Sequence, residues 1–312
     1  MPNSTTVTEF LLMRFSDVWE LRVLHAMLFL LMYLSTILGN LLIVTVTTFD
    51  KSLHTPMYFF LRNLSVLDMC YISITVPKAC AIFLFDNRAI SIVECAAQIF
   101  LVVLCGIAEV LFLTIMAYDR YVAICHPLHY PVIMNPHFCV QMTQGSIFGG
   151  VIYASVHTGN TFRLSFCHSN VVHQFFCDIP SLLKLSCSDI FINVVIVFFS
   201  ALVIVGSCFV FIIMSYVRIF SAVLKFPNRG ERRKSFSTCI PHIIVVTVFV
   251  TSVYSVYMKP TSNSPTVQDM IISVFYSIVP PFLNPIIYSL RNKQIKDALR
   301  RIIRRILYSE KQ

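Results

Sequence analysis

Seven long apolar segments constrain this chain more than any other feature of its sequence. They span residues 23–49, 57–80, 92–118, 138–162, 190–217, 235–258 and 269–290. Each is near the ~20 residues that an α-helix needs to cross the hydrocarbon core of a bilayer. The fourth segment is rich in Gly, Ser, Thr and Gln, which suits a helix packed closely against other helices. The sequence therefore predicts an all-α membrane protein, a seven-transmembrane helix bundle.

Composition excludes most soluble classes. Of 312 residues, 57% are hydrophobic and only 12% are charged, which is more apolar surface than a soluble core of this length can bury. A net charge of +9 can indicate nucleic-acid binding, but here the basic residues flank the apolar segments, which favours contact with anionic lipid head groups. The sequence contains no zinc-site spacing, nucleotide-binding loop or nucleophile with its base, so no enzyme is predicted.

The distribution of basic residues predicts the orientation. Most of the 24 Lys and Arg lie near Lys51, near Arg120, in 218–234 and in 291–311. These regions alternate with the other connections, so they share one side, which is cytoplasmic by the positive-inside rule. We therefore expect a plasma-membrane protein in which Asn3-Ser4-Thr5 is an extracellular glycosylation acceptor. The expected divisions are an extracellular N-terminus (1–22), the bundle (23–290) and a cytoplasmic tail (291–312).

The tail has the pattern of an amphipathic helix. Between 295 and 307, one helical stripe is apolar and the opposite face is basic. The stripe consists of Ile295, Leu299, Ile302, Ile303 and Ile306. Such a helix is expected to lie on the inner leaflet.

Four of the eleven cysteines are expected on the outer side. They are Cys95 at the start of the third segment and Cys167, Cys177 and Cys187 after the fourth. An extracellular setting permits disulfides, but the spacing alone does not choose among the pairings. A bond from Cys95 to the later loop would fold that loop over the mouth of the bundle.

Two acids lie deep within the predicted spans. Asp68 and Glu109 are each either a neutral, hydrogen-bonded carboxyl of the core or one half of a pair that shares a sodium ion or a proton. Val102, Gly106 and Glu109 have helical spacing, so one stripe of the third helix runs from a ligand-sized gap to the acid.

Further polar signals lie at the inner ends of the third and seventh spans. Asp119-Arg120-Tyr121 is either a signalling element or a snorkelling ion pair. Pro280, Pro281 and Pro285 weaken the seventh helix close to Asn284 and Tyr288. Broken helices also occur in channels and transporters, but no internal repeat relates the two halves of this chain, and seven spans do not divide equally.

Several motifs resemble those of one family. Met116 to Tyr130 (MAYDRYVAICHPLHY) is similar to the signature of the olfactory receptors, within the rhodopsin-like G-protein-coupled receptors. Other matching motifs are Gly39-Asn40, Pro56 to Leu61 (PMYFFL), Ser215-Tyr216, Lys234 to Cys239 (KSFSTC) and Pro281 to Asn292 (PFLNPIIYSLRN). The resemblance extends from about Glu9 to Lys296.

The resemblance implies specific roles. It pairs Cys95 with Cys177 and Cys167 with Cys187. Asp119 would hold Arg120 at rest and release it to a stimulatory olfactory-type G protein, which raises cyclic AMP. The residues implied in coupling and activation are Asp119, Arg120, Tyr121, Tyr216, Asn284, Pro285 and Tyr288. Asp68 and Glu109, with Asn284 nearby, would form a polar centre that holds sodium.

The resemblance also implies a ligand pocket. Its residues are Val102, Val103, Gly106, Ile107, Ser200, Ile204, Val250, Val253, Tyr257, Val274 and Ser277. This lining is mostly apolar and carries no fixed charge, so it suits a small, neutral, hydrophobic volatile ligand held largely by buried area. Any single member can instead be an ordinary packing residue. The chain departs from the family at Val250, where an aromatic residue is usual, and at Pro241 before His242.

Two other functions stay open from the sequence. One is a receptor of the same fold that responds to a metabolite outside the nose, which the tissue of expression would decide. The other is a transporter or channel, which ligand-gated current without a G protein would reveal.

Overall fold

A computed structural model of the chain describes residues 8–167, 170–257 and 267–309. In chain order its elements are β1 (Glu9–Leu12), α1 (Trp19–Phe49), a 3-10 helix (Lys51–Leu53), α2 (Pro56–Phe85), β2 (Ala89–Ser91), α3 (Ile92–Cys125), α4 (Tyr130–Ile133), α5 (Pro136–Phe162), β3 (Val171–Val172), α6 (Ile179–Leu185), α7 (Phe191–Val223), α8 (Arg229–Tyr257), α9 (Val267–Arg291) and α10 (Lys293–Ser309). We call the end with the strands the outer end and the end with α10 the inner end.

The long helices form a bundle. Within the described residues, α1, α2, α3, α7, α8 and α9 are long and apolar enough to cross a membrane. The seventh long helix, α5, is less apolar and packs against α3. A Cβ atom at Gly150 of α5 would lie 2.8 Å from Leu104 Cδ1, so glycine permits this close approach. The expected seven-helix fold is therefore present.

Local sequence explains several helix ends. Ser91 and Glu94 form a reciprocal capping box at the start of α3. Proline occupies the first turn of α2 and of α5, where its missing N–H leaves no hydrogen bond unmade. Asn135 caps α5 by accepting a hydrogen bond from the Phe138 N–H at 2.9 Å.

A small three-stranded sheet, which the sequence did not predict, covers the outer end. β1 pairs antiparallel with β2 and parallel with β3. Phe10 and Leu12 of β1 are fully buried in a cluster that includes Phe83 and Phe175. The segment before α1 is thus tied to the α2–α3 connection and to the loop after α5.

Two disulfides fix the loop between α5 and α7, and both pairings that the resemblance implied are confirmed. Cys95 is bonded to Cys177, and Cys167 is bonded to Cys187. Because Cys95 lies in the first turn of α3, its bond holds this loop against the outer end of the bundle.

The tail forms the expected helix, α10. Ile295 is almost fully buried against the inner part of the bundle, whereas Arg300 and Arg304 are exposed. Arg301 binds Asp50 at 2.7 Å, which joins α10 to the connection between α1 and α2. The side chains of Ile302, Ile303 and Ile306 lie outside the described residues, as does the predicted glycosylation acceptor Asn3.

Candidate functional site

A cavity of about 220 Å³ lies among α3, α5, α7, α8 and α9, below the outer loop. Five residues of the predicted pocket line it: Val102, Val103, Gly106, Ile107 and Val253. Its other helical lining residues are Ile99, Val110, Tyr153, His157, Val197, Ala201, Val205, Phe249 and Tyr276. The loop between α5 and α7 contributes Phe176, Cys177, Asp178, Ile179 and Pro180. We call this space the ligand cavity.

The other predicted pocket residues lie elsewhere. Val250 lines a different cavity between α7 and α8, and Val274 packs in the outer apolar cluster. Ser277 is buried and donates a hydrogen bond to the Ser273 carbonyl at 2.6 Å. Ser200 and Ile204 are in α7 but not on the cavity wall, and the side chain of Tyr257 lies outside the described residues. The rotation of each helix, which determines the inward side chains, explains these differences.

Asp178 corrects the expectation that the lining carries no fixed charge. Its carboxylate accepts hydrogen bonds from the Tyr276 hydroxyl at 2.9 Å and from the Ser181 N–H at 3.1 Å. The second bond caps α6, a common role for Asp at a helix N-terminus. Asp178 reaches the cavity because the neighbouring Cys177 is bonded to α3. The only sequence signal for this position was its adjacency to that cysteine.

A polar group forms part of the wall near α5. The Ser200 hydroxyl lies 3.2 Å from the Tyr153 hydroxyl and 3.0 Å from His157 Nε2. The rings of Tyr153 and His157 are also in contact, with centroids 4.1 Å apart. Ser200, a predicted pocket residue, therefore acts behind the wall, where it holds two side chains that line the cavity.

The two deep acids meet at Asn284. The Asn284 amide donates hydrogen bonds to both Asp68 oxygens at 3.1 Å and to Glu109 Oε1 at 3.3 Å. All three side chains are buried, and the Asn284 carbonyl oxygen has no hydrogen-bond partner among the described residues. A second cavity of about 210 Å³ touches Glu109 and shares Val102 and Gly106 with the ligand cavity.

The inner end of α3 differs from the expected resting arrangement. Asp119 accepts a hydrogen bond from the Tyr130 hydroxyl at 2.8 Å, and no ion pair joins Asp119 to Arg120 in the part of the chain that the structure describes. Arg120 instead contacts the Met57 sulfur. Successive residues of a helix point about 100° apart, so Asp119 and Arg120 face different neighbours. Burial and the Asp119 carboxylate raise the pKa of Tyr130, which therefore keeps its proton and acts as the donor.

A cavity of about 480 Å³ opens beside Arg120, and we call it the inner cavity. Asp119, Arg120 and Tyr288 of the predicted coupling set line it. The Tyr216 hydroxyl forms a hydrogen bond with His242 Nδ1 at 2.7 Å, and the Tyr121 hydroxyl forms one with His126 Nε2 at 3.1 Å. Pro285 packs at Gly39, where an added Cβ would lie 3.0 Å from the proline ring. The Tyr288 hydroxyl is buried and lacks a hydrogen-bond partner within the described ranges.

Comparison with known proteins gives a consistent result. The sequence model of the olfactory receptor family matches residues 29–306. Human olfactory receptor 14C36 is 64% identical over 310 residues, covering 99% of both chains. Human olfactory receptor 14A16 is 51% identical over 97% of this chain and 98% of its own length. The crystal structure of squid rhodopsin is 17% identical and superposes with a TM-score of 0.67 over 94% of this chain and 88% of that chain. The chain therefore belongs to the olfactory receptor family of G-protein-coupled receptors, and it is a multi-pass membrane receptor and not an enzyme.

Proposed function

We propose that this receptor binds small, neutral, mostly hydrophobic volatile molecules in the ligand cavity and activates a stimulatory olfactory-type G protein that raises cyclic AMP. The observation that carries this proposal is the ligand cavity itself, an apolar space beneath a disulfide-held loop. A ligand there gains affinity from buried area at ~25 cal/mol per Å².

The polar groups of the wall narrow the ligand class. His157 lines the cavity and its Nδ1 has no hydrogen-bond partner among the described residues, so it offers a partner to one alcohol or carbonyl oxygen. Asp178 is the one acidic residue among the described lining residues, and Tyr276 and the start of α6 already bind its carboxylate. A cationic amine would lose its hydration in this otherwise largely apolar cavity, where Asp178 already accepts two hydrogen bonds, so neutral ligands are favoured over cationic ones of the same size.

The inner cavity suits the G-protein partner. Arg120 is half-buried there, without an acidic partner among the described residues, and is therefore available to a protein segment that enters from the inner end. An agonist shifts the receptor towards the open state only through higher affinity for that state. In the proposed orientation the N-terminus and Asn3 are extracellular, in the plasma membrane, and the basic face of α10 contacts lipid head groups.

A sodium ion between Asp68 and Glu109 is part of this proposal. Two carboxylates that both contact Asn284 repel one another in an apolar interior, and a cation or a shared proton stabilises them. The donor set fits sodium, since all the candidate ligands are oxygens and the Asn284 carbonyl oxygen has no other partner among the described residues. Sodium would draw α2, α3 and α9 together and so favour the closed receptor.

The test is cyclic AMP production in cells that express the receptor and the olfactory stimulatory G protein, screened against a volatile library. We expect neutral alcohols, ketones or esters to activate, and amines of the same carbon skeleton to be weaker. Arg120→Ala is expected to abolish the response at unchanged surface expression, whereas Arg300→Ala, which removes an exposed positive charge from α10, is expected to preserve it. Full signalling by Arg120→Ala, or ligand-gated current without any G protein, would contradict the proposal.

A further inference from the structure

A cavity of about 370 Å³ lies between α7 and α8, on the outside of the bundle. Its lining side chains are apolar except for the hydroxyl of Tyr254, and Gly206 contributes only backbone. Phe198, Leu202 and Tyr254 at its rim are each 59% exposed. In a multi-pass membrane receptor this apolar, exposed surface of α7 faces the lipid chains.

Only one layer of side chains separates this outer cavity from the ligand cavity. Ala201 and Val205 of α7 and Phe249 and Val253 of α8 line both spaces. α7 and α8 also pack loosely against each other, in contrast to the close packing of α1 on α2. Rotamer changes of Phe249 and Val253, which take place on fast timescales in loosely packed regions, would connect the two spaces.

Entry from the outer end is hindered by the loop between α5 and α7, which covers the ligand cavity. Phe176 and Cys177 lie over the ligand cavity and are fully buried. The Cys177 N–H donates to Gln98 Oε1 at 2.8 Å, next to the disulfide to Cys95. β3, in the same loop, is paired with β1. Opening this described part of the loop would therefore disrupt a disulfide-anchored, hydrogen-bonded structure.

We propose that the outer cavity is a portal through which a neutral, apolar ligand dissolved in the bilayer passes between α7 and α8 into the ligand cavity. The inference rests on the proposed function of the ligand cavity. The lining of the outer cavity suits a neutral, apolar ligand, because none of its described residues carries a charge that could bind a charged molecule. A ligand with about 160 Å² of apolar surface is also roughly a thousandfold more concentrated in hydrocarbon than in water.

Two glycines allow the portal and the ligand cavity to be filled separately. Gly206 lines the outer cavity and not the ligand cavity, and a Cβ there would lie 3.8 Å from Leu202 Cδ1, an ordinary contact. Gly106 lines the ligand cavity and not the outer one, and its added Cβ meets nothing within 4 Å. Gly206→Leu and Gly106→Leu are therefore a matched pair. Gly206→Ala is a smaller substitution in case the leucine variant does not reach the membrane.

The experiment measures binding kinetics of the neutral fluorescent probe 1-aminoanthracene to purified full-length receptor in lipid nanodiscs. With Gly206→Leu, the association and dissociation rate constants should both fall about tenfold while Kd stays within about twofold. The reason is that the substitution raises the free-energy barrier to passage through the portal and leaves the free energies of the unbound and bound receptor unchanged. Gly206→Ala should slow both rates less. Gly106→Leu should weaken Kd at least about tenfold, because it fills the binding space itself.

The outcomes separate the portal from the ligand cavity. Unchanged rates in both Gly206 variants, together with weakened binding in Gly106→Leu, would overturn the portal and leave the ligand cavity standing. Weaker Kd in Gly206→Leu would also overturn the portal, since the outer cavity would then be a binding site for the probe or for a lipid chain. Unchanged Kd in Gly106→Leu, or no saturable binding to the wild type, would overturn the ligand cavity.

Discussion

Asn284 joins three helices through one amide group. Its hydrogen bonds to Asp68 and Glu109 connect α9 to α2 and α3 in the buried interior of the bundle. Removing a partner from a buried polar group costs free energy, because the atom left unpaired is also shielded from water. Movement of α9 relative to α2 or α3 must therefore break or replace these bonds, which makes the polar centre suited to report the difference between closed and open receptor.

The two acids are predicted to act as one site. Glu109→Gln and Asp68→Asn each keep the size of the side chain and remove one charge, so each should weaken sodium binding and change the ratio of basal to agonist-evoked cyclic AMP. The double variant should add little to either single one, since both remove the same site. The measurement is basal and evoked cyclic AMP for all four receptors at matched surface levels, with the sodium sensitivity of purified protein.

Fully additive effects, or unchanged sodium sensitivity in both single variants, would show that Asp68 and Glu109 are separate packing groups.

Both acids could be identified from the sequence, because an ionisable residue within an apolar membrane span is costly and therefore stands out. The sequence did not place Asp178 in the ligand cavity. Asp178 is an unremarkable loop residue in the sequence, and only the tertiary path of the disulfide-bonded loop gives it this position.

At the scale of elements, the loop between α5 and α7 depends on the Cys95–Cys177 bond. Loss of a native disulfide typically costs about 2–5 kcal/mol. Cys95→Ala and Cys177→Ala are each expected to reduce surface delivery strongly, and the double variant no further. Cys208→Ala, in a buried free cysteine of α7, is the control that should be delivered normally. Normal surface staining of both disulfide variants would contradict a structural role for this bond.

An ion pair between Arg301 and Asp50 joins α10 to the connection between α1 and α2. The Ser52 hydroxyl and Arg301 lower the pKa of Asp50 from 3.8 to about 2. The stabilisation is fully present above pH 3.8 and disappears as the pH falls through about 2, so the pair is intact at neutral pH. Since half of the Arg301 side chain is exposed, the pair contributes at most about 1 kcal/mol.

Arg301→Ala is therefore expected to loosen α10 without unfolding the bundle. Amide hydrogen exchange should become up to about fivefold faster in α10 at neutral pH, and stay unchanged in α3. Arg300→Ala, which affects only an exposed contact within α10, should leave the exchange unchanged. Equal exchange in the Arg301→Ala and wild-type receptors would show that apolar contacts such as that of Ile295 hold the helix alone.

Element prediction from the sequence succeeded for the long helices and failed for the short outer elements. A run of about twenty apolar residues predicts a membrane-spanning helix by itself, because each segment in lipid must satisfy its own backbone hydrogen bonds. β1, β2 and β3 are two to four residues long and are stable only through pairing between distant parts of the chain. Their sequences contain no local pattern that distinguishes a strand from a loop.

At the scale of the whole molecule, the ligand cavity and the inner cavity lie at opposite ends of α3. Gly106 faces the first and Arg120 faces the second, with Glu109 between them. The sequence predicted Val102, Gly106 and Glu109 as one stripe from helical spacing. Val250, Val274 and Ser277, which the resemblance implied, lie off the wall of the ligand cavity, because the rotation of α8 and α9 depends on packing against neighbours. A rigid helix with sites at both ends offers a direct route by which ligand binding biases G-protein coupling.

The most direct test of this account is the cyclic AMP dose–response curve of Gly106→Leu against the wild type, at matched surface levels, with the best agonist from the volatile screen. Because leucine would occupy the ligand cavity and leave the inner cavity untouched, the half-maximal concentration should rise at least about tenfold. A dose–response curve that superposes on the wild type would contradict the claim that ligands act from this cavity.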